Sequence, residues 1–297
     1  MQNLFVGNLS KKSLKRLSFL NLPKTIQHSR FYSSNPDTIY SRLNKKTVFI
    51  TGATSGIGKA CAWNFANAGA NLIVTGRRFE RLEELSSQIK EKNPSVEIHC
   101  SKLDVRDKQN IDAVVKGLPK DLAEVDILVN NAGLVVGLEP LEIISSEDID
   151  TMMDTNVKGL VYCTQALLPS LKLTNGHIVN IGSIAGIEAY QNGSIYCASK
   201  HAVRAITQSL RHELMSTGVK ITEVDPGMVE TEFSVVRFRG DEGKAKNVYK
   251  GIKPLSAQDI AEIVVFATSR ASHVEIANLT VFPHGQASAT QSFRKGL

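Results

Sequence analysis

From Lys46 onward the chain alternates two hydrophobic periods. Short β-branched apolar runs predict strands at Thr47–Ile50, 71–75, 96–100, 126–130, His177–Ile181, 220–224 and 278–282. Between them, apolar residues recur at helical spacing and predict helices at 57–69, 79–92, 107–118, 146–173, 195–217 and 257–269. Strands alternating with helices call for a parallel sheet covered on both faces, and right-handed crossovers make it doubly wound. The expected fold class is therefore α/β, a single domain over residues 44–290 with about seven parallel strands. The least regular stretch, 228–254, carries Arg237, Arg239, Gly240, Asp241 and Gly243 and predicts a loop serving as a lid or binding segment. Ser256, with Asp259 three residues later, predicts the N-cap of the helix that follows.

Charge changes this picture at one end only. Residues 1–36 hold six Lys or Arg (Lys11, Lys12, Lys15, Arg16, Lys24, Arg30) and no acid before Asp37. Taking those six from the 35 basic residues leaves 29, against 29 acidic residues, so the formal charge of +6 belongs to the leader. No basic run or interleaved aromatic stripe remains, and no nucleic-acid partner is expected. The leader is also rich in serine, and Arg30-Phe31-Tyr32-Ser33-Ser34 has the look of a processing site. That composition predicts a mitochondrial transit peptide ending near Tyr32, the alternative being a disordered basic tail on a cytoplasmic enzyme.

No apolar run approaches 18 residues, so no membrane insertion is expected. Cys61, Cys100, Cys163 and Cys197 lack metal-ligand spacing, and seven scattered histidines add none, so no metal site is expected either.

The candidate chemistry begins at Thr51-Gly52-Ala53-Thr54-Ser55-Gly56-Ile57-Gly58, after the first strand and opening the first helix. Glycines there permit a tight turn and close approach of backbone to a pyrophosphate, and the helix N-terminus offers free N–H groups. Set after a strand and before a helix, the pattern predicts the phosphate-binding turn of a Rossmann-type sheet rather than an ordinary turn. About 20 residues on, where an acid would bond the ribose of NAD, the chain reads Thr75-Gly76-Arg77-Arg78. A guanidinium forks two hydrogen bonds to a 2′-phosphate, so the expected cofactor is NADP. Tyr196 and Lys200 lie at i and i+4 on one helix face. A free phenol, with a pKa of about 10, is a poor acid/base at neutral pH, and a neighbouring lysine cation would lower it.

Taken together these segments resemble the classical short-chain dehydrogenase/reductase family over Lys46 to Gly285. The chain shows TGxxxGxG at Thr51–Gly58, NNAG at Asn130–Gly133, and Asn156, Ser183, Tyr196, Lys200 and Pro226-Gly227, in the family's order. The resemblance implies that Tyr196 exchanges a proton with the substrate oxygen, that Ser183 holds that oxygen, and that Lys200 bonds the nicotinamide ribose. It implies that Asn156 holds a water linking Lys200 to solvent. The cofactor residues it implies are Gly52, Thr54, Ser55, Gly56, Ile57, Gly58, Arg77, Arg78, Asp104, Val105, Asn131, Ala132, Gly133, Tyr196, Lys200, Pro226, Gly227, Val229 and Thr231. Asp104 is placed toward adenine, Asn131 toward the adenosine ribose, and Val229 and Thr231 toward the carboxamide.

The less general segments Asp154–Tyr162 (DTNVKGLVY) and Thr231–Phe238 (TEFSVVRF) resemble one subgroup, the NADP-dependent dehydrogenases of serine, L-allo-threonine and related 3-hydroxy acids. That narrower resemblance implies a small 3-hydroxy acid or hydroxy amino acid as substrate, its carboxylate met by Arg237, with Arg239 the other candidate. It also implies a homodimer or homotetramer built through the helices at 146–173 and 195–217. The competing readings are a broad carbonyl reductase, a 3-oxoacyl-thioester reductase, and a nucleotide-binding scaffold or sensor without activity. Loss of Ser183, Tyr196 or Lys200 would favour the last, and none is lost.

Overall fold

The computed structural model of the protein describes residues 40–296. Seven strands form one parallel sheet: β1 Thr47–Ile50, β2 Asn71–Gly76, β3 Ile98–Lys102, β4 Ile127–Asn130, β5 His177–Ile181, β6 Lys220–Pro226 and β9 Asn278–Val281. Their order is β3-β2-β1-β4-β5-β6-β9. The remaining strands, β7 Val229–Glu230 and β8 Leu255–Ser256, pair with each other.

Because successive strand side chains face opposite ways, Val48 and Ile50 enter one apolar layer and Phe49 the other, all fully buried. The first layer holds α1 (Gly56–Asn67), α2 (Phe79–Lys92) and α9 (Ala257–Thr268), through Phe65, Leu85 and Val264 among others. The second holds α3 (Lys108–Lys116), α5 (Gly159–Thr174) and α6 (Ser194–Leu214), through Ile111, Leu167 and Leu214. A sheet buried on both faces explains why the strands read as continuous apolar runs. Strand order reverses between β1 and β4, and at such a switch point the carboxyl ends of the strands leave a crevice.

Three expectations are corrected. The single helix over 146–173 is instead α4 (Ser146–Met153), a π turn at Asp154–Lys158 and α5, because the extra backbone turn swings Asn156 inward to bond Leu134. Such π turns cluster at functional sites. The stretch 228–254 is not one irregular loop. It contains β7, α7 (Glu232–Arg237) and α8 (Glu242–Asn247), each helix capped by the oxygen of its preceding residue, Thr231 and Asp241. Short helices of about six residues are too brief for periodicity to reveal. The strand placed at 96–100 begins at Ile98, Val96 being buried in the turn before it. Ser256 caps α9 as expected, with Asp259 completing a capping box. The 1–36 leader lies outside the described residues.

Candidate active site

The crevice opens on the turn between β1 and α1. Gly52 (φ +68°) and Gly56 (φ +53°) take left-handed backbone that side-chain-bearing residues resist. Gly58 is needed for a different reason: a Cβ there would come within 2.5 Å of the Gly52 carbonyl and the Asn131 amide. Ser55 precedes α1 without a side-chain capping bond, so the first-turn N–H groups have no such partner. Bare backbone and uncapped N–H groups fit the phosphates of a dinucleotide.

Arg78 closes one side of this cradle. Its Nη2 donates to Thr54 Oγ1 (2.8 Å) and Ser55 Oγ (3.0 Å), while its Nη1 donates to Glu232 Oε2 (2.8 Å) on α7. Arg81, one turn along α2, donates to the other Glu232 oxygen (2.7 Å). Those bonds hold the Glu232 carboxyl below its ordinary value against the opposing effect of burial. Arg77 lines the same cleft and is exposed. Asp104 also lines it, its carboxylate gripped by Arg106 (2.6 Å at the shortest), which holds that group below the usual carboxylate range.

Opposite lies the polar wall. Tyr196 and Lys200 project from α6, each only 6% exposed, and Ser183 ends the segment after β5. The Ser183 hydroxyl accepts from the Ala185 N–H (3.1 Å), which fixes its rotamer, and hydrogen-bonds the Tyr196 side chain. Lys200 Nζ donates to the Ile181 carbonyl (2.8 Å). Burial pushes the lysine down to about 8, opposed by Asp225 and Glu223. Burial also pushes the Tyr196 phenol up, opposed first by Ser183 and then by Arg237. Sequence reasoning named Lys200 for that opposing role and missed the serine hydroxyl and Arg237.

Asn156 is fixed by three side-chain hydrogen bonds. Its Nδ2 donates to the Leu134 carbonyl (2.8 Å) and Ser199 Oγ (3.0 Å), and its Oδ1 accepts from the Leu134 N–H (2.8 Å). A side-chain amide so committed positions the loop after β4. Asn131 is similar, its Nδ2 donating to the Thr51 (2.9 Å) and Gly52 (3.1 Å) carbonyls, which ties β4 to the glycine turn.

The two arginines of the 228–254 segment separate cleanly. Arg239 pairs with Asp148 (2.8 Å) and Glu139 (3.5 Å) outside the cleft, so it is removed as a carboxylate partner. Arg237 sits over the rings of Tyr196 (5.8 Å to the centroid) and Phe233 (5.6 Å), and its Nη2 donates to the Tyr190 hydroxyl (3.3 Å). Its Nε is buried and has no hydrogen-bond partner among the described residues. The Arg237 carbonyl accepts from the Gly137 N–H (2.9 Å), which ties the segment to the loop after β4.

The cleft, about 350 Å³, brings together Gly52, Thr54, Ser55, Gly56, Ile57, Arg77, Arg78, Asp104, Val105, Asn131, Ala132, Gly133, Ser183, Tyr196, Lys200, Pro226, Gly227, Val229 and Thr231. Gly58 and Asn156 support its walls without lining it, and Arg237 adjoins it across the Tyr196 and Phe233 rings. Sequence reasoning missed Glu232, Phe233, Val236, Leu134 and Thr155 on the lining, and Arg81 and Tyr190 behind it. Arg81 had a signal, its i+3 spacing from Arg78 on one helix face. Tyr190 had none.

Residues 46–241 match the family model described as short chain dehydrogenase, and the chain belongs to that family. It is 47% identical over 257 residues to the NADP-dependent 3-hydroxy acid dehydrogenase of Schizosaccharomyces pombe, covering 86% of this chain and 99% of that one. Sulfoacetaldehyde reductase 2 of Chromohalobacter salexigens is 45% identical over 242 residues, covering 81% and 95%. Among solved structures, the closed form of serine dehydrogenase complexed with NADP+ matches with a TM-score of 0.79 at 42% identity, covering 84% of this chain and 99% of that one.

Proposed function

We infer that the protein is an NADP-dependent oxidoreductase that moves hydride between the nicotinamide and a small 3-hydroxy acid or hydroxy amino acid, of the serine, L-allo-threonine or 3-hydroxypropionate type. NADP, when bound in the crevice, supplies the hydride donor or acceptor. The protein does the rest. Ser183 holds the substrate oxygen, Tyr196 takes the hydroxyl proton during oxidation and returns it during reduction, and Lys200 keeps a cation beside them. The observation that carries the substrate class is Arg237, a guanidinium against the Tyr196 ring with a buried, unpartnered Nε. An acid oxidised at C3 presents a carboxylate two carbons from the reacting alcohol, and burying that charge unpaired is costly.

Arg237→Leu tests this directly. Losing a charge-assisted hydrogen bond costs about 1.5–3 kcal/mol, so kcat/KM for serine or 3-hydroxypropionate is expected to fall by roughly 10- to 150-fold. A neutral ketone of similar size should lose far less. Equal loss on both substrates means that the arginine only orders the segment.

The acid-free leader supports mitochondrial import with removal of the chain to about Tyr32, and N-terminal sequencing of the native protein checks it. A Met1 or Gln2 start on a cytosolic pool refutes it. The small-molecule site is expected to work in a homodimer or homotetramer, which sedimentation of the purified protein reads.

A further inference from the structure

Behind Ser183 lies a second group of ionisable side chains that the reaction just described does not use. Glu223 and Asp225 stand two apart on β6, so both face α6, and they are 2% and 0% exposed. Among the described residues the cations facing them are Lys200 and Arg204, one turn apart on α6. Asp225 Oδ1 accepts from the Ser183 backbone N–H (3.0 Å), and its Oδ2 accepts from Asn278 Nδ2 on β9 (2.5 Å) and Arg204 Nη1 (3.3 Å). Glu223 has no such set, and its Oε1 is buried without a partner. The two carboxyls come so close to the chain at Gly182 that a Cβ there would overlap Asp225 Oδ1. Glycine immediately before Ser183 is thus what lets an acid reach the serine's backbone.

Two buried carboxylates side by side do not both ionise, and the donors decide which one does. Among the described residues three donors converge on Asp225 and none on Glu223. We propose that Asp225 is the positioning residue of Ser183, holding its backbone N–H with the single negative charge of a two-carboxyl site whose proton resides on Glu223.

The proton on Glu223 is donated to Asp225, which leaves one anion against Arg204 and keeps the group compatible with burial. Burial, reinforced by the Asp225 charge, pushes Glu223 up to about 8. The charge also reaches the lysine, since Asp225 is the largest of the groups opposing the burial that lowers Lys200. Asp225 therefore acts on the reaction through two neighbours: it fixes the serine that grips the substrate oxygen, and it sustains the ammonium beside the tyrosine.

This assignment rests on Ser183 holding a substrate oxygen, and its test separates from that of the substrate class. Asp225→Asn keeps size and removes charge. In it kcat is expected to fall roughly 10- to 100-fold, the cost of a small misplacement at the reacting centre, with NADP affinity at pH 7 little changed in calorimetry. The alkaline decline of kcat should move to lower pH, because Lys200 loses its ammonium earlier. Glu223→Gln copies the protonated state, so its kinetics at pH 7 should match the wild type. Infrared spectra of the wild type at pH 7 should show the carbonyl stretch of a protonated carboxyl that Glu223→Gln lacks.

Where Asp225→Asn does not fold, Asn278→Ala replaces it: this exposed edge position removes one donor to the same anion and should give a smaller kcat loss with NADP affinity unchanged. Wild-type kcat and pH profile in these variants overturn the positioning role. Absence of the infrared band, or altered neutral-pH kinetics in Glu223→Gln, overturns the proton's location. A wild-type enzyme inactive on hydroxy acids but active on another alcohol overturns the substrate class and leaves this test intact.

Discussion

Tyr196→Phe is expected to lower turnover by on the order of 10²–10⁴-fold while NADP still binds, the loss typical of removing a general acid/base. The ring's packing survives the change. Its edge-on contact with Phe233 (centroids 5.8 Å apart) and the Arg237 guanidinium above it depend on the ring and not on the hydroxyl. What disappears is the one group that hydrogen-bonds Ser183 and can exchange a proton with an oxygen held there. Direction of catalysis sharpens the expectation. Because burial pushes the phenol up, its protonated form predominates at neutral pH, and that is the form carbonyl reduction consumes. Alcohol oxidation needs the phenolate and should accelerate as pH rises, until Lys200, pushed down to about 8, loses its ammonium. Steady-state rates in both directions across pH check this, alongside calorimetric NADP binding. A phenylalanine variant with near-normal rates over the whole range would show that another group carries the proton.

The sheet was legible because a strand buried on both faces leaves an unbroken apolar run, as Val48-Phe49-Ile50 does, and amphipathic helices between such runs leave a period. The glycine turn and the Tyr196/Lys200 pair were legible because backbone approach and helix-face spacing each restrict residue type. What failed to show was anything set by contacts across the chain. No local pattern distinguishes a continuous helix over 146–173 from one interrupted at Asp154–Lys158, since the π turn follows from Asn156 reaching Leu134, 22 residues earlier. Arg237 and Arg239 are two residues apart and alike in sequence, yet one meets Tyr190 and the other Asp148. Asp225 and Glu223 looked like ordinary strand residues near a Pro-Gly turn. Their meaning depends on Arg204 and Asn278, 21 and 53 residues away from Asp225.

Cofactor choice gives the second large effect, and the structure divides it unequally between two arginines. Arg77 has no hydrogen bond among the described residues, and its one internal interaction is a weak attraction to the Asp104 carboxylate, so replacing it with alanine breaks no hydrogen bond. Its guanidinium is free to meet a 2′-phosphate, and Arg77→Ala should raise the KM for NADP by about 10- to 150-fold, from roughly 1.5–3 kcal/mol for a hydrogen bond to a charged group. The KM for NAD, which has no phosphate there, should hardly move. Arg78 is different. Besides facing the same position it ties Thr54 and Ser55 of the glycine turn and reaches Glu232 on α7. Arg78→Ala therefore loosens the turn that any dinucleotide uses, and KM should rise for both cofactors, more for NADP. These exposed ion pairs to Glu232 contribute little to overall stability, so thermal unfolding of either variant should stay close to wild type and exclude a general folding defect. Measured KM for NADP and NAD in the two single variants decides the matter: equal increases for both cofactors in Arg77→Ala would mean that the basic turn does not read the 2′-phosphate.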